Sequence, residues 1–224
     1  MRLKQKPKYE MKLLSNGQTI KFRPFIVEEE RNLVMALESG NFDEIILTVR
    51  QIVENCTGVD PYKIPYYDLE NIFINLRSKS VGEMVDMIGT CDCAEDATTP
   101  FQVDLRNIRL EGEVKDPVIK IIDSDHYVSL RQPTAEDIFN SYKMDGVDFI
   151  ATMIEKHWDD EQVFDDDTIA GKRELLLSMS SEQYEPIDNF YRALPKIQLP
   201  YTWHCQHCGE SHEVVITGLE DFFV

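Results

Sequence analysis

The stretch "WHCQHCGESHEVVITG", residues 203–218, places two cysteines three positions apart, then a glycine and an alternating apolar run. Cys-x-x-Cys followed by glycine is typical of a zinc knuckle, in which the backbone turns so that amide groups face the sulfurs, and Gly209 permits that turn. The alternation after it predicts a β-strand, so the pair is expected at the tip of a hairpin. Because structural zinc takes four ligands, this stretch supplies only half of a site.

A second cysteine pair supplies the other half. The segment "GTCDC", residues 89–93, contains a tighter Cys-x-Cys pair, and it also leads into an alternating run, "FQVDLRNI". We predict one structural zinc site between two zinc-ribbon-like hairpins. Its predicted ligands are Cys91, Cys93, Cys205 and Cys208. The fifth cysteine, Cys56, lies on the apolar side of a predicted helix and is expected to fill the core.

Three histidines leave the ligand set open. His204, His207 and His212 surround the second cysteine pair. A site that used this pair with one or two of the histidines would leave the Cys-x-Cys pair as free thiols. An open coordination position would suit a zinc hydrolase, whereas four thiolates close the coordination shell.

Two further stretches resemble each other. The segments "IKFRPFIVEEE" and "VSLRQPTAEDI" each contain a β-rich run, an arginine, a proline and the acidic start of a helix. Arg23 and Arg131 are 108 positions apart, and Cys91 and Cys205 are 114 apart. This near-constant offset predicts an internal duplication. The alternative is that hairpins, helices and strands are common enough to align by chance.

The duplication predicts the domain organisation. An N-terminal arm, residues 1–9, precedes a first half at 10–112 with the Cys-x-Cys knuckle and a second half at 113–224 with the Cys-x-x-Cys knuckle. The predicted fold class is α+β, each half consisting of a β-hairpin, a few helices and a cysteine-bearing hairpin, with one zinc site shared between them. Apolar spacing predicts helices in the second half at about 135–142, 146–157 and 181–193.

The arginines that precede the helices permit two interpretations. Arg23 and Arg131 lie at strand-to-helix junctions, where loops commonly carry contacts to partners, and arginine is well suited to pair with a partner's carboxylate. Alternatively, each arginine pairs with the acidic start of the helix that follows it.

The net charge restricts the partners. With 41 acidic and 23 basic residues the formal charge is −18, and such a surface repels phosphate, which argues against nucleic acid and anionic membranes. A basic cluster near the N-terminus is the local exception, either a solvated arm or a docking segment for an acidic partner; it comprises Arg2, Lys4, Lys6 and Lys8. Phe222 and Phe223, near the C-terminus, either dock on the core or contact a partner.

Localisation and activity are predicted from patterns that the sequence lacks. No apolar run approaches the ~20 residues of a membrane helix, and the first residues do not resemble a signal peptide, so we expect a soluble, cytoplasmic protein. No Walker loop, GxSxG motif or glycine-rich dinucleotide turn occurs. Asp165, Asp166 and Asp167 lie in a polar segment that would not shift a carboxyl pKa. We therefore expect neither catalysis nor a small-molecule substrate.

Three segments carry a family resemblance. "IKFRPFIVEEERNLVMALES" (20–39), "LRQPTAEDI" (130–138) and "CQHCGESHEVVITGLEDFF" (205–223) resemble the T-even-type bacteriophage baseplate hub family, in particular its hub assembly subunit. The resemblance implies a structural or assembly role in a contractile tail baseplate, with other phage tail proteins as partners and without catalysis. It also implies a location in the host cytoplasm during assembly, and it leaves open whether the protein stays in the tail baseplate of the virion or acts only as an assembly chaperone. The competing hypothesis is a zinc-ribbon adaptor or regulator of the transcription machinery.

Overall fold

The computed structural model describes residues 8–164 and 168–217, except the side chain of Phe42. The chain divides into two compact units: the second is Gly112–Pro195, and the first contains the chain up to Glu111 and again from Lys196. The expectations for most of the N-terminal arm, for the acidic run at 165–167 and for the C-terminal phenylalanines lie outside the described residues.

Within residues 8–111 the structure contains five strands and three α-helices. They are β1 (Tyr9–Lys12), β2 (Thr19–Phe22), α1 (Val27–Ser39), α2 (Phe42–Thr57), α3 (Tyr66–Ser80), β3 (Met84–Thr90), β4 (Thr98–Asp104) and β5 (Arg109–Glu111). The middle part contains β6 (Val118–Lys120), β7 (Tyr127–Leu130), α4 (Ala135–Ser141), α5 (Gly146–Met153), β8 (Ile154–Trp158), β9 (Val163–Phe164), α6 (Ile169–Ser178) and α7 (Ser181–Ala193). The last hairpin consists of β10 (Lys196–His204) and β11 (Ser211–Thr217). This mixture of helices and hairpins confirms a mixed α/β protein.

The first unit contains three of the sheets. Besides the β1-β2 hairpin, it has a three-stranded sheet in the order β11-β10-β5 and the two-stranded hairpin β3-β4. Alternation along β10 buries Ile197, Leu199 and Trp203 on one face. A buried cluster joins α3 to these strands, and it comprises Ile74, Val85, Val103, Leu105, Ile197, Leu199 and Ile216. The hairpins that bear the cysteines are therefore held by the same apolar core.

The second unit is built on a four-stranded antiparallel sheet, ordered β6-β7-β8-β9. Its core joins the sheet to α5, α6 and α7 through buried residues that include Val128, Leu130, Ile154, Ile187 and Phe190. Among the described residues, no helix combines the length and the apolar character that crossing a membrane requires.

Two details of the second unit differ from the sequence prediction. The helix predicted over 146–157 ends at Met153, and Ile154–Trp158 forms β8 instead, because it pairs with β7 and buries Ile154 and His157 in that sheet. The helix α6 was not predicted. Its periodicity is weak, since Leu176 is its only fully buried residue.

The predicted duplication is matched in part by the order of elements. Each half begins with a hairpin followed by two helices, and each ends with a helix followed by a cysteine-bearing hairpin. The second half adds β8, β9 and α6, and its hairpin is extended to four strands. The compact units also divide the chain differently from the predicted halves, since β10 and β11 belong to the first unit. The duplication stays a prediction.

Candidate metal centre

Two hairpin tips bring the four predicted ligands together. In the first tip, the Cys91 backbone N–H donates to the Ala97 carbonyl at 2.9 Å and closes the loop between β3 and β4. In the second, the Gly209 N–H donates to the Cys205 carbonyl at 2.9 Å, and Gly209 has φ +78°. That left-handed conformation is the one that glycine adopts without strain, as the Cys-x-x-Cys-Gly pattern predicts.

The distances between sulfurs match those of a tetrahedral metal site. The sulfur of Cys91 lies 3.8 Å from that of Cys208, and the sulfur of Cys93 lies 3.7 Å from that of Cys205. All four sulfurs lie within 4.8 Å of one another. Zn–S bonds of ~2.3 Å in a tetrahedron place sulfurs about 3.8 Å apart, whereas a disulfide requires about 2.05 Å. The donor set and its spacing therefore fit zinc, and all four cysteines are free thiols.

The sulfurs differ in how readily they lose a proton. The backbone N–H of Cys208 donates to the Cys205 sulfur, as does that of His207 at 3.4 Å, and together they lower the pKa of Cys205 to about 6. Desolvation, followed by hydrogen bonds with the other three sulfurs, raises the pKa of Cys93 to about 12. Cys205 therefore loses its proton more readily than Cys93. A divalent cation offsets the repulsion between further thiolates, so metal binding and deprotonation are coupled.

Aromatic rings hold the two hairpins together beneath the cysteines. The Phe101 ring of β4 stacks on Tyr201 of β10, with centroids 5.0 Å apart, and also stacks on Trp203. The Trp203 indole lies over Gly89, where a Cβ would come within 2.5 Å of it. The hydroxyl of buried Thr99 accepts a hydrogen bond from the Gln206 N–H at 3.0 Å. These contacts were not predicted from the sequence, although Trp203, two residues before Cys205, was a possible signal.

The three histidines of the second knuckle are not equivalent. A ring nitrogen of His212 lies within 4.8 Å of the Cys91 sulfur and a Glu210 carboxylate oxygen, in a second possible donor group that shares Cys91 with the cysteine cluster. His212 stacks on Trp203 with a centroid distance of 4.3 Å, and its buried Nε2 has no hydrogen-bond partner among the described residues. His204 and His207 belong to neither donor group found among the described residues. His212 is therefore the histidine best placed to compete with a cysteine as ligand.

The arginines at the strand-to-helix junctions form internal ion pairs. Both terminal nitrogens of Arg23 donate to the Glu29 carboxylate at 2.8 Å, and Glu29 also accepts from the Ile26 N–H at the start of α1. Burial raises the pKa of Glu29, but these hydrogen bonds outweigh it and leave the pKa below its ordinary value. The interpretation that Arg23 pairs with its own helix start therefore accounts for its contacts.

The second junction repeats this geometry. Arg131 donates through both terminal nitrogens to Asp137, which also accepts from the Thr134 N–H and hydroxyl at the start of α4. In both junctions the arginine backbone N–H donates to a carbonyl near the end of the second helix, that of Cys56 for Arg23 and that of Met153 for Arg131. Such matching is the strongest structural support for the predicted duplication.

The fold and the cysteine cluster define a mixed α/β protein in which two hairpins meet at a candidate metal site with four thiol ligands. The chain belongs to the family described as T4 bacteriophage base plate protein, whose model matches residues 6–224. It is similar to the "Baseplate hub assembly protein gp26" of Enterobacteria phage T4, with 24% identity over 216 residues that cover 96% of this chain and 97% of the relative. No solved structure gives a significant match. The resemblance inferred from the sequence motifs is confirmed.

Proposed function

We propose that this protein is a structural or assembly component of the baseplate hub of a contractile-tailed phage and that it binds other tail proteins. The observation that carries the proposal is the match along nearly the whole of both chains to a relative named as a baseplate hub assembly protein. Family membership over residues 6–224 supports the same role in a phage baseplate. Assembly takes place in the host cytoplasm, and the product is associated with the tail baseplate.

The role does not involve catalysis. Four thiolates around one ion leave no coordination position for a substrate or an activated water. The formal charge of −18 disfavours nucleic acid and anionic membranes, so protein surfaces are the partners best matched to this chain. No small-molecule substrate belongs to this function.

Zinc is the proposed cofactor, bound by Cys91, Cys93, Cys205 and Cys208. Its role is to join two hairpins that are separated by the whole of the second unit in the sequence. Linking such distant segments removes many conformations from the unfolded chain and fixes the register of the two tips.

The partner assignment is tested by affinity purification of the tagged protein from phage-infected cells, scored by mass spectrometry. We expect baseplate and tail proteins to be enriched over a tagged protein of similar size and charge. Enrichment of host RNA polymerase subunits without tail proteins would contradict the proposal and support the transcription adaptor.

The cofactor is tested by metal analysis of purified protein, with one zinc per chain expected. Substitution of cobalt for zinc gives a spectrum that reports the ligands. A spectrum typical of four thiolates supports the proposed set, whereas one typical of three thiolates and one nitrogen would replace a cysteine with His212.

A further inference from the structure

A groove lies along α7 in the second unit. Its volume is about 630 Å³, and its apolar lining includes Leu176, Leu177, Met179 and Tyr184. Leu176 is buried, whereas Leu177 lines the groove and is 56% exposed. Concave apolar surface with an exposed leucine is typical of a site that another molecule covers.

One wall of the groove is acidic. Glu182, Glu185 and Asp188 line it at intervals of three residues, which places them along one face of α7. Asp188 pairs with Arg192 at 2.6 Å. Within residues 8–164 and 168–217, neither Glu182 nor Glu185 forms an ion pair.

A proline interrupts the backbone hydrogen bonding of α7 next to Glu185. Pro186 lies inside α7 and has no N–H, so it cannot donate the usual helical hydrogen bond to the Glu182 carbonyl. The wall therefore presents two carboxylates that have no cationic partner among the described residues. Both accept hydrogen bonds and attract positive charge.

We propose that the α7 groove binds a basic amphipathic helix of another protein, with the apolar face of that helix on Leu177 and its lysines or arginines on Glu182 and Glu185. Charge complementarity selects this occupant, because the acidic wall would repel an acidic segment and a purely apolar one would leave the carboxylates without partners. The inference rests on the proposed assembly function for the existence of a protein partner, and it names the surface and the chemistry of that partner.

The spacing of the carboxylates favours a helix. Three residues along α7 rise roughly 4.5 Å, and a partner helix that repeats lysines at i, i+3 and i+4 presents cations at a similar interval. Its apolar side chains then follow the same repeat on the adjacent face, as in other helix-in-groove complexes.

The test uses the full-length protein and a synthetic 18-residue peptide that has leucines on one helical face and lysines on the other. Binding is measured by fluorescence anisotropy at low and at moderate salt. We expect saturable binding that the Glu182→Lys/Glu185→Lys variant weakens by about tenfold or more and that added salt weakens as well. Leu177→Ser is expected to weaken binding at both salt concentrations, since it removes apolar contact.

A matched charge variant separates the groove from the general acidity of the protein. Glu113→Lys/Glu161→Lys changes the net charge by the same amount at exposed positions outside the groove, and it is expected to change the affinity by less than about twofold. Equal weakening by the two double variants would overturn the proposal. The proposal would also be overturned if the wild type forms dimers and Leu177→Ser disrupts them, because a second copy would then occupy the groove.

The experiments distinguish a failure of the groove proposal from a failure of the proposed assembly function. If the groove variants no longer bind the peptide but still co-purify with the same tail proteins from infected cells, the groove proposal is wrong and the assembly function stands. If the wild type binds the peptide but recovers no tail protein, the assembly function is wrong.

Discussion

Each unit contains the same kind of arginine junction, but the two units differ in how their chain segments come together. Each contains an arginine that pairs with an acidic residue six positions later, at the start of a helix. The second unit is one continuous segment, whose described residues form one four-stranded sheet with an apolar core. The first unit is made from two distant segments, and the cysteine cluster lies where they meet. A local motif can therefore recur with the same hydrogen-bonding geometry, while the contacts that bring together the distant parts of each unit depend on other residues.

The largest effect is expected for Cys205→Ser. In the zinc-bound protein this change removes one ligand, and we expect loss of the metal and a fall of at least about 4 kcal/mol in the free energy of unfolding, since structural zinc contributes roughly 10–16 kcal/mol in small peptides. Hydrogen exchange should rise in β3, β4, β10 and β11 and stay low in β6–β9.

Two further variants complete that test. Cys56→Ser changes a buried thiol outside the cluster and is expected to keep the zinc content of the wild type. Unchanged zinc in the Cys91→Ser/Cys93→Ser variant would contradict the shared site and indicate histidine ligands.

The arginine junctions are compared by Arg23→Met and Arg131→Met. Each variant leaves a carboxylate without its partner. We expect a loss of about 3 kcal/mol for Arg23, whose side chain is 14% exposed, and about 1–2 kcal/mol for Arg131, at 33%. Urea denaturation measures both. Variants that keep full stability but no longer recover tail proteins would instead place the arginines in an interface.

Packing between the cysteine hairpins is tested by Gly89→Ala. The added methyl group meets the Trp203 indole, and overpacking of this kind costs about 2 kcal/mol. The matched change in the second unit is Gly146→Ala, where the new methyl group meets no atom of the described residues within 4 Å beyond its chain neighbours and its own helix backbone. We expect it to be neutral or slightly stabilising in thermal denaturation, and equal losses would show that the indole does not determine the effect.

The pH dependence of the first unit is tested by Glu70→Gln. Desolvation, opposed by a hydrogen bond from the Ile197 backbone, raises the pKa of Glu70 from 4.5 to about 8. The folded protein thus holds a proton that the unfolded chain releases, so stability falls as pH rises between these values, by at most roughly 1.4 kcal/mol per pH unit. The variant should lack this slope in urea denaturation at pH 5–8. An identical slope in both proteins would mean that Glu70 is ionised when folded.

Local patterns predicted much of the fold correctly. The acidic helix starts that follow Arg23 and Arg131 and the strand after each cysteine pair all follow from neighbouring residues. The strand β8 was missed because its identity depends on pairing with β7, and no local pattern encodes that partner. The Glu182 and Glu185 wall was missed as well, since charged residues on one helix face are ordinarily solvated.

The sequence by itself determined the chemistry of the candidate site. Four cysteines in two short-range pairs, a glycine in the second turn and alternating strands beside them are local features, and their structure depends on a few adjacent residues. Only the tertiary structure decided that both pairs belong to one unit, that Trp203 lies over Gly89 and that each arginine faces its own helix. Those facts depend on contacts between residues far apart in the chain, which form only when the core orders the backbone, and the spacing of residues in a sequence carries little information about them.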